Sequence, residues 1–197
     1  EIYTLSLHDA LPIWFSPEDA VTRAGTAGWV GQGPVVALVA RAALDAMGAS
    51  RLRHECRQLS SDCLVSARGD SVIIVLGAAE EAGSSGAPER ALGRAAQTIA
   101  SMIEGVVVIG PVVPGIDQAG RSLRSALAGL RARPGWPDAP NPVHADDLLP
   151  ERLLDGDELA AEQITALVGA PLHSMGEPFE ETVATYLSAE PDRKSVV

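Results

Sequence analysis

The chain has 197 residues, 26 acidic against 15 basic, for a net charge of −11; that length bounds it to one domain plus a piece of another, and so acidic a balance argues against this segment gripping a phosphate backbone, which needs clustered Lys and Arg. Its two cysteines, Cys56 and Cys63, have neither CxxC spacing nor a second pair, which argues against zinc and predicts two reduced, mostly packed thiols, with a disulfide between them open but unsupported. No apolar run approaches the roughly 20 residues that span a bilayer, and a cytoplasmic location without membrane contact is expected.

The two ends read as DNA rather than protein. His8–Ile13 can be encoded CAC GAC GCT CTT CCG ATC, and the reverse complement of that string translates as Asp192–Val197. An inverted six-codon match at opposite termini is the expected trace of a sequencing adapter read in frame on both sides of one insert. Residues 1–13 and 192–197 are therefore expected to be artefact and are left out of the fold reading. Residues 14–191 are expected to be native and cut from a longer gene. Removing the ends removes Lys194, the chain's one lysine, and leaves a charge one unit less negative. An Arg-only, Ala- and Val-rich remainder suggests a gene of high G+C content.

Residues 14–33 are polar and Gly-dotted and read as a linker, with a helix start at Ser16-Pro17-Glu18. Pro34–Ala40 is a short apolar run that reads as a buried strand. Ala42–Leu59 carries apolar Ala43, Leu44, Met47, Leu52, Cys56 and Leu59 at spacings that mostly fit one helical face, with Gly48 as a point of interruption. Cys63–Ala67 and Ser71–Leu76 flank Arg68-Gly69-Asp70 and predict a hairpin. Residues 79–87 read as a loop, Pro88–Ile103 as a helix and Gly105–Ile109 as a strand. Ile116–Arg133 predicts an amphipathic helix with Ala119, Leu123, Ala126, Leu127 and Leu130 on one side and Arg121, Arg124, Arg131 and Arg133 largely on the other. Residues 134–142, rich in Pro, predict an irregular connection, and Val143–Ala145 a short edge strand. Asp147–Leu154, Asp157–Leu167 and Glu177–Leu187 then read as short helices separated by Gly156, Gly169 and a loop over Pro171–Gly176. The β-α-β-β-α-β order is that of ferredoxin-like units: an α/β (α+β) fold, one sheet with helices mainly on one face, followed by a small helical segment.

The candidate chemistry is thin. Arg68-Gly69-Asp70 as an adhesion tripeptide would need a secreted context; as a turn it needs only a Gly for positive φ and polar neighbours. Asp146-Asp147 and Asp155-Gly156-Asp157-Glu158 could bind a metal or act as acid and base, but capping by Asp147 and Asp157 of the helices that follow explains them more simply, and the spacing is not that of an EF-hand. His54, His144 and His173 form no HxxxH or HExxH pair, and no serine sits in a GxSxG elbow. Gly110–Gly115 precedes a helix and could offer amides to an anion, yet lacks the Lys-Ser/Thr of a phosphate loop. No catalytic, cofactor-binding, metal or DNA-binding residue is assigned.

A family pattern does emerge. Nucleotide cyclases of the GGDEF type have a ferredoxin-like sheet and carry their signature on a central hairpin. The hairpin here reads Ser66-Ala67-Arg68-Gly69-Asp70-Ser71, without the Gly-Gly pair that admits phosphate or the acidic pair that holds a metal. Asp70 alone is a poor magnesium site. Gly110–Pro114, Ala119–Leu130, Trp136-Pro137-Asp138-Ala139-Pro140 and Ala145–Arg152 resemble PucR/CdaR-type bacterial transcriptional regulators, nearest to actinobacterial members linked to fatty acid synthesis genes. Glu181–Leu187 resembles the Glu-Thr-Leu-x-x-Tyr-Leu that opens their C-terminal DNA-binding region.

The resemblance implies a degenerate GGDEF-like CdaR domain over 34–145 and, over 146–191, the helical start of a helix-turn-helix domain truncated before its recognition helix. It implies a non-enzymatic sensory or dimerisation domain without cofactor. DNA would be bound only through the missing helix, a homo-oligomer is expected, and a small-molecule effector could sit near Val112–Asp117. The rival readings are a divergent nucleotide-binding or cyclase-like enzyme domain and a small-molecule effector-binding module.

Overall fold

Six of the seven residues of strand β1 (Val35–Arg41) are buried, as an unbroken Val/Ala/Leu run requires when both faces of a strand are covered. The structure, a computed structural model, describes residues 17–78 and 86–188. Around β1 lie helix α1 (Pro17–Thr26), α2 (Ala46–Leu59), the hairpin β2 (Asp62–Arg68) and β3 (Ser71–Gly77), α3 (Ala87–Ser101), β4 (Val106–Ile109), α4 (Ala119–Ala132) and β5 (Val143–His144). The sheet order is β2-β3-β1-β4-β5, antiparallel except for the parallel β4–β5 pair. The first four strands and α2 and α3 reproduce the expected ferredoxin-like order, and Val143 begins the expected edge strand.

Side chains alternate across a strand, and here both sides are filled. Val35, Ala37 and Val39 pack with Leu123, Ala126 and Leu127 of α4. Val36, Leu38 and Ala40 pack with Leu52 and Cys56 of α2 and Leu92, Ala96 and Ile99 of α3. The expectation of helices mainly on one face is thus corrected. The physical reason lies in β1 and β4, which are apolar at successive positions rather than at alternate ones, the mark of two-sided burial.

Residues 14–33, expected to be a linker, behave differently over their described part. α1 buries Ala20 and Ala24, and Trp29 joins the same core as α4. The Trp29 indole N–H donates to the Gly31 carbonyl at 3.0 Å. Pro17 opens α1, and Ser16 lies outside the described residues, as do residues 79–85 of the expected loop. α2 begins at Ala46 rather than Ala42, because Asp45 caps it. Gly48 does not interrupt the helix: its N–H donates to Asp45 Oδ1 at 2.6 Å.

α4 carries a face of small residues, and that face sits close to the sheet. A Cβ on Gly110 would stand 2.3 Å from the Ser122 carbonyl oxygen, so only glycine admits the helix there. Buried Ser122 accepts the Ala37 N–H at 2.9 Å through Oγ. The Pro-rich turn after α4 is folded by two side chains. Arg133 donates to the carbonyls of Trp136, Pro137 and Ala139. Asn141 accepts from Val107 N at 2.9 Å and donates to Gly105 O at 2.8 Å, which moors the turn to the start of β4.

The helical tail comprises α5 (Leu149–Leu154), α6 (Glu158–Ile164), a π-helical turn (Thr165–Gly169), α7 (Ala170–Ser174) and α8 (Glu177–Ser188). Neither Gly169 nor Pro171 breaks the chain's helical course as expected. Pro171 lacks an N–H and its ring opposes the carbonyl four residues back; the π turn directly before it shifts that carbonyl ladder. The break comes at Gly176, where φ is +92°.

Candidate functional site

The place where this fold would carry nucleotide chemistry is the end of the sheet formed by the β2–β3 hairpin and the β1–α2 connection. Arg68 and Ser71 face each other across a two-residue turn, and Gly69 takes φ +61° at its first position, as such a hairpin asks of glycine. The Asp70 carbonyl accepts the Ala42 N–H at 2.8 Å, tying the turn to the end of β1. Arg68, Gly69 and Asp70 are exposed. The turn reading of this tripeptide therefore holds in the geometry.

Beside the turn, the N-terminus of α2 could attract an anion through its amides and dipole. It is occupied by the chain's own carboxylate. Asp45 Oδ1 holds the Gly48 N–H, and the Asp45 carbonyl takes the Ala49 N–H at 2.9 Å. A phosphate arriving there would meet a negative charge already seated. Among the described residues no group of three or more His, Cys, Asp or Glu is placed to hold a metal. A cavity of about 510 Å³ lies next to this end, between α2 and the end of α3, with Leu44, Leu52 and Ile103 as its apolar lining and Arg51, Glu55 and Glu104 as its charged one.

The effector position expected near Val112–Asp117 is differently built. Val113 exchanges two 2.8 Å backbone bonds with Val35, and Val113 and Ile116 belong to the core beneath α1 and α4. Gly110–Gly115 thus serves as an extra rung of sheet and a helix approach.

One acid from each cluster, Asp146 and Asp157, meets a single residue, Arg152, that stands in the sequence only as part of a longer motif. Arg152 has no exposed surface. Its guanidinium meets Asp157 Oδ2 at 2.8 Å, donates to the Ala145 carbonyl at 2.9 Å and to Ser125 Oγ at 3.3 Å, and lies 3.7 Å from Asp146. Asp157 also caps α6, accepting from Leu159 N at 3.1 Å through its other oxygen. The capping expected of Asp157 is present. Asp147 does not cap: Leu148 stands at the cap of α5 and contributes no side-chain bond. Asp155 pairs with Arg131 at 3.1 Å on the surface. The sequence signal that could have found Arg152 is a cation on the apolar face of a Leu-rich helix, five residues before a capping Asp.

His54, His144 and His173 fall on α2, β5 and α7 and form no common site. Cys56 is fully buried on α2 and free, and Cys63 on β2 is half-buried and free. Burial pushes the Cys56 thiol up to about 12, with neighbouring Cys63 acting in the same direction. Burial raises Cys63 as well, against the lowering influence of Arg57. Both are inert protonated thiols at neutral pH. No described helix is long and apolar enough to cross a membrane.

Taken together, a ferredoxin-like core extended by a parallel fifth strand, with a short tight hairpin forming one side of the sheet, defines the class: a mixed α+β domain with a five-stranded sheet. The GGDEF-like domain model matches residues 14–132, and the chain belongs to that family. Over 89 residues it is 42% identical to uncharacterized proteins of Mycobacterium tuberculosis (Rv2242) and Mycobacterium bovis (Mb2266), an alignment covering 45% of this chain and 22% of each of theirs. The chain thus spans about a fifth of the length of these relatives. Its fold is similar to that of a regulator of polyketide synthase expression from Bifidobacterium adolescentis, with a TM-score of 0.57 at 22% identity, covering 80% of this chain and 60% of that one.

Proposed function

We propose that this chain is the non-catalytic GGDEF-like domain of a PucR/CdaR-type transcriptional regulator, cytoplasmic and homo-oligomeric, acting on genes of fatty acid biosynthesis. The observation that carries the non-catalytic part is the hairpin end of the sheet, where Asp70 sits on a bare turn and the α2 terminus is filled by the Asp45 carboxylate, which is spent on the Gly48 N–H. Magnesium-assisted phosphoryl chemistry needs carboxylates arranged around substrate phosphates, and this arrangement offers a capped helix instead. The regulatory part draws support from the family match and from the Bifidobacterium neighbour, itself a regulator of polyketide synthase expression.

The tail supports a following domain. Phe179, Val183 and Tyr186 are spaced for one face of α8 and are 51%, 36% and 80% exposed, an apolar stripe suited to packing against further helices. DNA would be contacted by those helices, not by this acidic segment.

Reading the source gene past codon 191 tests the proposal. A continuation with a helix-turn-helix and an Asn-Thr-Val-x-Tyr-Arg-like recognition helix upholds it. An unrelated domain there would sink it, as would conversion of GTP or ATP with magnesium to a cyclic product. An effector-binding role is the second reading, favoured by the cavity between α2 and α3; a calorimetric titration with nucleotides and acyl-CoA thioesters would score it.

A further inference from the structure

β2 is the outer strand of the sheet, and among the described residues no strand lies beyond it. The hydrogen bonds at the ends of β3 fix which of its groups face outward. Ala78 N–H donates to Pro34 O at 3.0 Å and Ala42 N–H to Asp70 O at 2.8 Å, so the even-numbered residues of β3 bond β1 and the odd-numbered ones bond β2. The β2–β3 register then commits residues 62, 64, 66 and 68 to β3. The N–H and C=O groups of Cys63, Val65 and Ala67 point away from the sheet. Natural edges are guarded by Pro, by inward-pointing charge or by a bulge; Cys63–Ala67 holds no proline and no charged residue.

What borders this edge is positive. α2 lies over β2 on the face shared by Cys63, Val65 and Ala67. Arg57 and, more weakly, Arg53 of that helix act on the Cys63 thiol as favourable positive charges, and both arginines are exposed. The opposite face carries half-buried Leu64 and Ile73 and exposed Ser66 and Arg68. Asp62, the strand's one carboxylate, is committed to the amides of Val30 and Gly31 at 2.9 and 3.1 Å. In a chain of net charge −11 this border reverses the prevailing sign. A second copy joined edge to edge about a two-fold axis would set Arg53 and Arg57 against their own images, and like charges facing across a junction oppose it.

We propose that the outer edge of β2 is a docking strip for an extended acidic segment of a partner protein, added to the sheet as a further strand. Main-chain bonds to Cys63, Val65 and Ala67 supply the pairing, and alternate side chains supply the choice of partner. Segment residues opposite Cys63, Val65 and Ala67 share the α2 face and are carboxylates that meet Arg53 and Arg57. The residues between them stand beside Leu64 and Ser66, with Ile73 one strand further in, and are apolar to cover that face. The recognised pattern is acidic–apolar alternation. This edge is remote in the sheet order from β5 and the helical tail, and its test reads neither nucleotide nor DNA.

The experiment is fluorescence anisotropy of a labelled Glu-Val-Glu-Val-Glu peptide with the whole chain, against Lys-Val-Lys-Val-Lys as control. The acidic peptide is expected to bind and the basic one not. Ala67→Pro removes an outward N–H without touching the ladder to β3, a position where edge strands tolerate proline, and should weaken binding about tenfold. The paired Arg53→Glu and Arg57→Glu substitutions lie on an exposed helix face and should abolish it, with unchanged circular dichroism. Equal binding of both peptides, or binding indifferent to both variants, overturns the proposal. Self-association in sedimentation that Ala67→Pro abolishes would also overturn it, and would assign the edge to a second copy.

Discussion

Arg152 is a charge with no access to water, and its surroundings explain how that is tolerated. Asp157 faces it at 2.8 Å, while Ala145 and Ser125 accept further bonds. Deleting one partner of such a pair strands the other. Arg152→Met is expected to cost about 3–5 kcal/mol, and Arg152→Lys should recover little, because an ammonium cannot reproduce the fork; urea unfolding of both variants decides this. Cys56 gives a second residue-level test. Its thiol is raised from 9.0 to about 12 by burial, so the folded chain holds that proton more tightly than the unfolded one. The resulting stability is full below pH 9 and is lost as pH rises toward 12. Cys56→Ala should flatten the alkaline fall of Tm, and an unaltered slope would contradict the assignment.

At the scale of elements, the strands and the two crossover helices were readable because their signals are local. Pro34–Ala40, the hairpin about Gly69 and the helix over Pro88–Ile103 carry their own periodicity and punctuation. What escaped depended on distant partners. Trp29 looks like part of a linker until Gly77 and the α4 core are brought beside it. Ser122 and Ser125 look like solvent positions on an amphipathic helix until the sheet and Arg152 approach them. The site was legible mainly as a departure from the cyclase pattern, since the hairpin lacks the Gly and acidic pairs. The Asp45 cap is hidden in the sequence because Ala42–Leu44 carry the helical pattern four residues upstream of the true start at Ala46. Close approach also yields a prediction: Gly110→Ala drives a Cβ into the Ser122 carbonyl and should destabilise by about 1–3 kcal/mol, read as a lowered urea midpoint. Asn141→Ala removes two mooring bonds and should cost roughly 1–2 kcal/mol by the same measurement.

Among the described residues, burial is concentrated in the sheet and thins along the tail. β1 is buried from Val35 to Ala40, whereas α8 leaves Phe179, Val183 and Tyr186 largely exposed. Hydrogen exchange should therefore report near-global protection for β1 amides and far faster exchange over Glu177–Ser188. Equal protection in the two regions would show that the tail has found a partner within this chain.

The central position of β1 also bears on how the protein is made. A ribosome releases β1 before either strand that flanks it, so this most apolar stretch emerges with both edges unpaired. The β2–β3 hairpin closes locally as soon as Gly77 is out, giving β1 a first neighbour. Its second edge stays open until Val106–Ile109 follows. During that interval the nascent chain exposes a sticky strand, the interval in which a chaperone has most to do and in which truncation before β4 should yield aggregates rather than a smaller fold.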